Sequence, residues 1–186
     1  MDAFENIVAG LLWNEGYWTF IGYKVNLSKE AKVRLGKSSL PRPEIDILAY
    51  RAKGNEVLWV ECKSYMDSRG VKAEALTDKN DINARHYKVF TWDEYRDEVK
   101  SALVEQLLNE GHIDPNPVVK FCLVTGKIAT GPDRKKLHIY FEQKGHKDWV
   151  LYDEFWVKKG LIRLAEKGYE NDIATQVAKL FTRIQE

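Results

Sequence analysis

Cysteine is scarce in this sequence: only Cys62 and Cys122 occur among 186 residues. The two lie in separate apolar runs and form no Cys-x-x-Cys pair. This argues against a disulfide framework or a zinc site and favours a reducing compartment. The four histidines are dispersed along the chain, so the sequence contains no histidine-based metal motif.

Long apolar runs are missing as well. No stretch approaches the roughly 18 residues that a membrane-spanning helix needs. The N-terminal residues include the acids Asp2 and Glu5 and no basic region, which is unlike a secretory signal peptide. We therefore expect a cytoplasmic protein with no membrane association.

The chain has almost no net charge, +1 at pH 7, which gives no overall signal for a polyanionic partner. A hydrophobic share of 44% and an aromatic share of 12% are typical of a folded globular protein. No internal repeat, low-complexity tract or linker divides the chain. We expect residues 1–186 to form a single domain.

Positive charge is nevertheless concentrated in two segments. Residues 24–42 contain six basic residues and one acidic residue, and residues 127–147 contain six basic and two acidic residues. Such segments on a neutral chain are typical of a face that binds a polyanion, because neutralising phosphates drives that binding. Two solvated loops are the alternative interpretation.

Hydrophobic periodicity and turn residues predict the order of the elements. Helices are predicted over residues 2–15, 91–110, 153–167 and 172–185. Strands are predicted over residues 17–27, 44–51, 56–64, 117–124 and 136–142, with polar connections over residues 28–42 and 65–91. The short turn at residues 53–55 predicts an antiparallel hairpin. The fold class is therefore α/β, with a mixed central sheet flanked by helices.

The most informative segment is a charged triplet at the end of an apolar strand. Side chains alternate along a strand, so Glu61 and Lys63 share one face while Cys62 lies on the other. Asp46 lies in the preceding predicted strand of the same hairpin. Ionised groups are rarely buried without a partner or a metal ion. An exposed Glu61–Lys63 pair without function is the alternative.

Two acids and one amine are the functional groups that metal-assisted phosphodiester hydrolysis uses. Asp46 and Glu61 are candidate ligands of Mg²⁺ or Mn²⁺, and the backbone carbonyl of Cys62 is a further one. Lys63 is the candidate amine, which orients or deprotonates the attacking water or offsets charge on the phosphorus.

This pattern resembles the PD-(D/E)XK nuclease superfamily, whose fold is restriction-endonuclease-like. The resemblance covers roughly residues 2–125, and it is greatest to archaeal-type Holliday-junction resolvases and small restriction-type enzymes. The resolvases place a serine-containing loop, here Ser38-Ser39, before the aspartate. It implies that Glu5, on the first helix, completes the metal site; an N-terminal helix cap with Asp2 is the alternative role. Pro43 departs from the family pattern because it lies three residues before Asp46, with Glu44 as a further candidate ligand.

The resemblance implies an endonuclease that uses Mg²⁺ or Mn²⁺ to hydrolyse duplex or branched DNA. A homodimer suits the cleavage of both strands of a symmetric substrate. A non-catalytic DNA-binding or protein-bridging module and an RNA nuclease are the alternatives. The candidate nucleic-acid contacts are Arg34, Lys37, Ser39, Arg42, Arg69 and Lys72.

Two further expectations concern polar and aromatic residues outside this pattern. Related nucleases sometimes place a polar site residue on the second helix, where Gln106 lies, and simple exposure is the alternative. The tryptophans Trp13, Trp18, Trp59 and Trp92 lie in or beside core-like runs.

Overall fold

The structure is a computed structural model that describes residues 2–36, 38–143, 146–168 and 170–184. Its longer helices are α1 (Ala3–Asn14), α5 (Asp93–Asn109), α6 (Gly131–Phe141), α7 (Glu154–Ala165) and α8 (Ile173–Ile184). Its shorter helices are α2 (Lys29–Arg34), α3 (Glu74–Thr77) and α4 (Lys88–Thr91), the last directly preceded by a 3₁₀ turn, Ala84–Tyr87. Its strands are β1 (Trp18–Lys24), β2 (Glu44–Arg51), β3 (Glu56–Lys63), β4 (Val118–Thr125) and β5 (Trp149–Tyr152).

The strands form one open mixed sheet. Within the described part of the chain it has five strands in the order β1-β2-β3-β4-β5. The first three strands pair antiparallel, and β3, β4 and β5 pair parallel. The predicted hairpin is confirmed, and its turn contains Gly54 and Asn55 with positive φ angles of 93° and 47°. The protein is therefore an α/β protein with a mixed sheet flanked by helices.

Each face of the sheet carries its own hydrophobic core. On one face, alternate residues of β2 and β3, among them Leu48 and Trp59, pack with α5 and α6. On the other face, their neighbours Ile47 and Val60 pack with α1, α7 and α8. Strand alternation thus assigns successive side chains of the hairpin to different layers.

The first helix forms as its sequence predicts. Asp2 is the N-cap and accepts a hydrogen bond from the Phe4 N–H, while Glu5 accepts one from the Asp2 N–H. This reciprocal arrangement is a capping box. Phe4, Val8 and Leu11 then bury the same face of α1.

The predicted strand over residues 136–142 is wrong, because this segment belongs to α6. Thr130 caps the helix by accepting a hydrogen bond from the Asp133 N–H, and Pro132 lies in its first turn. Leu137 and Phe141, four residues apart, bury one face of the helix. The remaining strand is instead the short β5, whose residues are all half-buried.

The two polar connections are more ordered than the sequence predicts. Residues 28–42 contain α2, which is capped by Ser28, and residues 65–91 contain α3, the 3₁₀ turn and α4. Thr91 and Glu94 have the spacing of a capping box, which predicts that Thr91 caps the following helix. This prediction is wrong: the Thr91 hydroxyl donates to the Ala84 and Tyr87 carbonyls, and α5 begins after Trp92 without a side-chain cap.

Two tryptophans do not lie in the core. Trp59 is buried, whereas Trp13 and Trp18 pack against each other on the surface and are 57% and 71% exposed. Trp18 lies on β1, at the edge of the sheet, where one side of the strand has no neighbouring strand in the part of the chain that the structure describes. Among the described residues, no helix combines the length and the apolar character needed to cross a membrane.

Candidate active site

The candidate site forms where strands β2 and β3 separate. Their ladder ends at the pair Ile47 and Val60, so Asp46 and Glu61 are the next residues on each side. The Asp46 Oδ2 atom accepts a hydrogen bond of 2.7 Å from the Cys62 N–H. This bond holds the Asp46 carboxylate beside the end of β3.

Lys63 completes the group that the sequence predicts. Its Nζ atom donates to Oε1 of Glu61 at 2.5 Å, and both side chains are about 20% exposed, at 19% and 20%. The two residues share a strand face because they are two positions apart. Asp46, Glu61 and Lys63 are thus brought together at the C-terminal end of β3.

The Asp46 carboxylate carries the clearest electrostatic signature. Burial raises the pKa of Asp46, and the nearby charge of Glu61 raises it further, to about 6. The Cys62 N–H and the Lys63 ammonium act in the opposite direction but do not cancel the effect. A negative charge on Asp46 is therefore unfavourable in this partly buried site, where Glu61 supplies a second carboxylate.

The Lys63 ammonium stays charged in this environment. Burial by itself would lower the pKa of Lys63, but the charge of Glu61, the hydrogen bond to it and the charge of Asp46 together outweigh burial and raise that pKa. Lys63 is therefore a cation at neutral pH. This favours a role in orienting groups and balancing charge over a role as a base.

Three tyrosines surround this ion pair. The Tyr87 ring centre lies 5.9 Å from Lys63 Nζ, and Tyr87 is 2% exposed. Burial and a hydrogen bond to Tyr65 raise the pKa of Tyr87, and burial followed by the charge of Glu61 raises that of Tyr95 to about 12. The sequence patterns indicate none of the three tyrosines as site residues. Only Tyr65 could have been inferred from its position, because it lies two residues beyond Lys63.

Glu5 approaches from the other layer. Helix α1 packs on the opposite face of the sheet, and the Glu5 carboxylate is engaged in the capping box with the Asp2 N–H at 3.2 Å. Burial raises the pKa of the Cys62 thiol, and the charges of Asp46, Cys122 and Glu5 add to this effect. Glu5 therefore lies near β3, on the side to which the Cys62 thiol belongs.

The described residues contain no group of three or more His, Cys, Asp and Glu side chains that could hold a metal ion by themselves. Asp46 and Glu61 are the two carboxylates that meet at the end of β3. The charge of Glu44, which pairs with Lys24 at 3.7 Å, adds to the effects of burial and of Glu61 that raise the pKa of Asp46. Two carboxylates are a common protein contribution to a Mg²⁺ site, because this ion keeps several water ligands. The proposed ligand roles of Glu5 and the Cys62 carbonyl stay predictions.

The candidate nucleic-acid contacts are spread over two regions. Arg34 pairs with Glu98 of α5, with Nη2 2.8 Å from Oε2, and so lies in a cleft between α2 and α5. Arg42 contacts Asn26 at 3.5 Å. Ser39, Arg69 and Lys72 are exposed, and Lys37 lies outside the described residues.

The loop that carries Arg69 adjoins the candidate site. It follows Lys63 directly and is held by the Lys127 ammonium, which donates to the Ser68 carbonyl at 2.7 Å. Gly70 is needed there, because it has a φ of 95° and its Cα lies so near residues 127–129 that a Cβ would be 2.9 Å from their backbone. Arg69 and Lys72 are therefore close to the end of β3 and Arg34 is in a separate cleft.

Gln106 makes hydrogen bonds that connect α5 to β1 and the segment after it. Its Oε1 atom accepts from the Asn26 N–H and its Nε2 atom donates to the Tyr23 hydroxyl, both at 2.9 Å. The side chain therefore fastens α5 to β1 and the residues after it.

Comparisons with models of protein families, with curated proteins and with solved structures found no significant match to this chain.

Proposed function

We propose that this protein is a metal-dependent endonuclease that hydrolyses phosphodiester bonds of DNA with an activated water. The observation that carries the proposal is the meeting of Asp46, Glu61 and Lys63 at the point where β2 and β3 separate. With the short helices α2, α3 and α4 left out, the order α1-β1-β2-β3-α5-β4 supports a restriction-endonuclease-like fold, in which the motif lies on the same hairpin.

The donor set fits a hard divalent cation. Asp46 and Glu61 supply oxygen atoms, which Mg²⁺ and Mn²⁺ prefer. The charge of Glu61 contributes to the raised pKa of Asp46, so a cation beside both carboxylates would relieve their repulsion. Such a cation, when bound, polarises the phosphoryl oxygen and lowers the pKa of bound water.

The residues of the chain supply binding, orientation and charge. The Cys62 N–H fixes the Asp46 carboxylate, so that this group is held before any ligand binds. Lys63, charged and held by Glu61, offers an ammonium to the developing negative charge of the phosphate. The tyrosine rings near the Glu61–Lys63 pair reduce its contact with water. This strengthens the attraction between Glu61 and Lys63 and that between Lys63 and a bound phosphate.

The test is a cleavage assay with isosteric variants. Duplex DNA, branched DNA and RNA of matched length are incubated with Mg²⁺ or Mn²⁺ and the wild-type protein or the variants Asp46→Asn, Glu61→Gln and Lys63→Met. We expect metal-dependent DNA cleavage that each substitution lowers by about 100-fold or more. The matched control is Glu105→Gln, which removes an exposed acid of α5.

Three results would contradict the proposal. The first is no metal-dependent cleavage of any DNA substrate, and the second is cleavage that persists unchanged in Asp46→Asn and Glu61→Gln. The third is cleavage of RNA alone, which would replace DNA by RNA as the substrate. Circular dichroism of each variant checks that a loss of cleavage does not result from unfolding.

A further inference from the structure

Helix α8 packs onto the protein through its small residues. Ala174, Thr175 and Ala178 are buried, with exposed fractions of 2%, 0% and 4%. The contact with α1 is close, because a Cβ on Gly10 would lie 2.9 Å from the Ala174 Cβ. This tight contact fixes which side of α8 meets the body of the protein.

The large apolar residues of α8 consequently lie on its outer side. Ile173, Leu180 and Phe181 are 68%, 60% and 63% exposed, and Val177 between them is half-buried. We call these four residues the α8 stripe. An amphipathic helix usually turns its large apolar residues to the core, so the stripe marks a surface that the described residues leave uncovered.

The apolar surface continues beside the stripe. Phe181 lines a groove of about 330 Å³ together with Ile162 of α7 and Met66 of the loop after β3. Ile162 and Met66 are 46% and 56% exposed. The surface therefore spans two helices and an adjacent loop.

Its area is comparable to what a stable dimer requires. The three exposed stripe residues with Ile162 and Met66 each expose on the order of 100 Å² of apolar surface, or roughly 500 Å² together. A standard interface buries about 800 Å² on each partner, and its rim is polar. The apolar centre of such an interface is thus already present.

The charges at the two ends of α8 favour a second copy of this chain as the occupant. Glu170, which pairs with Lys167 at 2.9 Å, and Asp172 precede the helix, and Arg183 lies in its last turn. The exposed part of the stripe runs from residue 173 to residue 181, so its midpoint is Val177. Antiparallel pairing about a two-fold axis at Val177 sets Ile173 opposite Phe181 of the second copy.

The same axis brings opposite charges together. Arg183 of one copy lies opposite Asn171 of the other, within one residue of Glu170 and Asp172 in sequence. The antiparallel arrangement also places the positive end of one helix dipole beside the negative end of the other. A surface that is apolar at its centre and carries opposite charges at its ends is self-complementary, as a two-fold interface must be.

We propose that two copies of this chain associate through antiparallel pairing of their α8 stripes. The inference rests on the packing of α8 and not on the proposed nuclease activity. Its tests accordingly measure molecular mass and need no substrate.

The first test is sedimentation equilibrium of the full chain over a series of concentrations. We expect the wild type to reach twice its monomer mass and Leu180→Glu/Phe181→Glu to stay monomeric at every concentration. Ile139→Glu is the matched control, because Ile139 is 54% exposed on α6, away from the stripe, and this variant should associate like the wild type. A monomeric wild type, a dimeric double variant or a monomeric control would overturn the proposal.

The second test addresses the antiparallel arrangement with substitutions at exposed charged residues, each variant being checked for its folded state by circular dichroism. Arg183→Glu reverses the charge at both symmetry-related contacts, so we expect association about tenfold weaker. Glu170→Arg/Arg183→Glu exchanges the two charges and should restore the affinity of the wild type. Failure of the double exchange to restore association would overturn the antiparallel pairing.

Discussion

The Cys62 N–H donates a hydrogen bond to Oδ2 of Asp46 at 2.7 Å, directly beyond the last paired residues of β2 and β3. In a regular ladder this N–H would bond to a backbone carbonyl of the neighbouring strand. Here the strands have separated and a carboxylate takes that place. The bond engages only one carboxylate oxygen, so it positions Asp46 and leaves the other oxygen available to a ligand. Four predictions follow from this and related contacts, each with its own measurement.

Replacing Asp46 by Asn should change how stability depends on pH. Folding raises the pKa of Asp46 from its usual value of 3.8 to about 6, so its favourable contribution is complete below pH 4 and is lost as the pH rises through 6. Asp46→Asn lacks this titration and still accepts the Cys62 N–H bond. At pH 8 we expect its free energy of unfolding to exceed that of the wild type by up to about 3 kcal/mol. Urea unfolding in metal-free buffer at pH 4, 6 and 8 measures this, and a difference independent of pH would contradict it.

Divalent cations should stabilise the wild-type protein through the same two carboxylates. A ligand that binds only the folded state adds about 2.7 kcal/mol at a concentration of 100 times its Kd. We expect Mg²⁺ or Mn²⁺ at pH 8 to raise the melting temperature of the wild type and of Glu105→Gln. Asp46→Asn and Glu61→Gln should show almost none of this rise. Equal stabilisation of all four proteins would place the metal ions elsewhere.

Glu5 should act mainly as part of the helix cap. Glu5→Ala removes the acceptor of the Asp2 N–H and should cost about 1 kcal/mol of stability. Glu5→Gln retains an acceptor oxygen and should cost less, while its metal-induced rise in melting temperature stays close to that of the wild type. Loss of that rise in a stably folded Glu5→Gln would instead show that Glu5 is a metal ligand, the role that the family resemblance implies.

Glu56 should be the most important charged residue for stability at the far end of β3. It is 7% exposed, accepts hydrogen bonds from Lys120 Nζ at 2.5 Å and Arg51 Nη2 at 2.9 Å, and is also bonded by the Tyr17 hydroxyl. Burial alone would raise the pKa of Glu56, but its bonds to Lys120 and Tyr17 outweigh burial and lower that pKa. Its contribution is therefore present at neutral pH and is lost in acid as the pH falls through the lowered value.

Glu56→Gln should accordingly lower the free energy of unfolding by about 2 kcal/mol at pH 7, because two cations lose their counter-charge. The partial exposure of Arg51 and Lys120 keeps the effect below that of a fully buried pair. Lys79→Met is the comparison, since it breaks an exposed pair with Asp93 and should cost less than about 1 kcal/mol. Equal effects of the two substitutions in urea unfolding would refute this account.

Local patterns in the sequence were sufficient for α1, the β2–β3 hairpin and the triplet at its end. A capping box, a short turn and strand alternation each act over a few residues, so the sequence carries them directly. Strand alternation also predicted that Glu61 and Lys63 share one face, with Asp46 on the preceding strand of the same hairpin. The strand predicted over residues 136–142 is wrong because Gly131 and Pro132, a pair typical of turns, lie in the first turn of a helix that Thr130 caps.

Contacts between distant segments could not be predicted in this way. Tyr87 and Tyr95 reach the Glu61–Lys63 pair from segments more than twenty residues away, and nothing around them in the sequence indicates that partner. Gln106 was assigned to the site or to solvent, yet it bonds to Tyr23 of β1. Such contacts depend on how the layers pack, which strand and helix periodicity does not specify.

By itself, the sequence determined the hairpin and the chemical character of its charged end, because side-chain alternation is a local property of the backbone. The helical spacing of apolar residues in the segment 172–185 likewise predicts an apolar stripe on the last helix, formed by Ile173, Val177, Leu180, Phe181 and Ile184, because helical spacing is local too. Only the tertiary structure decided that the small residue Ala174 faces Gly10 while Phe181 faces outward. The physical reason is that close packing selects the helix face that fits its neighbours, and here the fit of small side chains outweighed the burial of large ones.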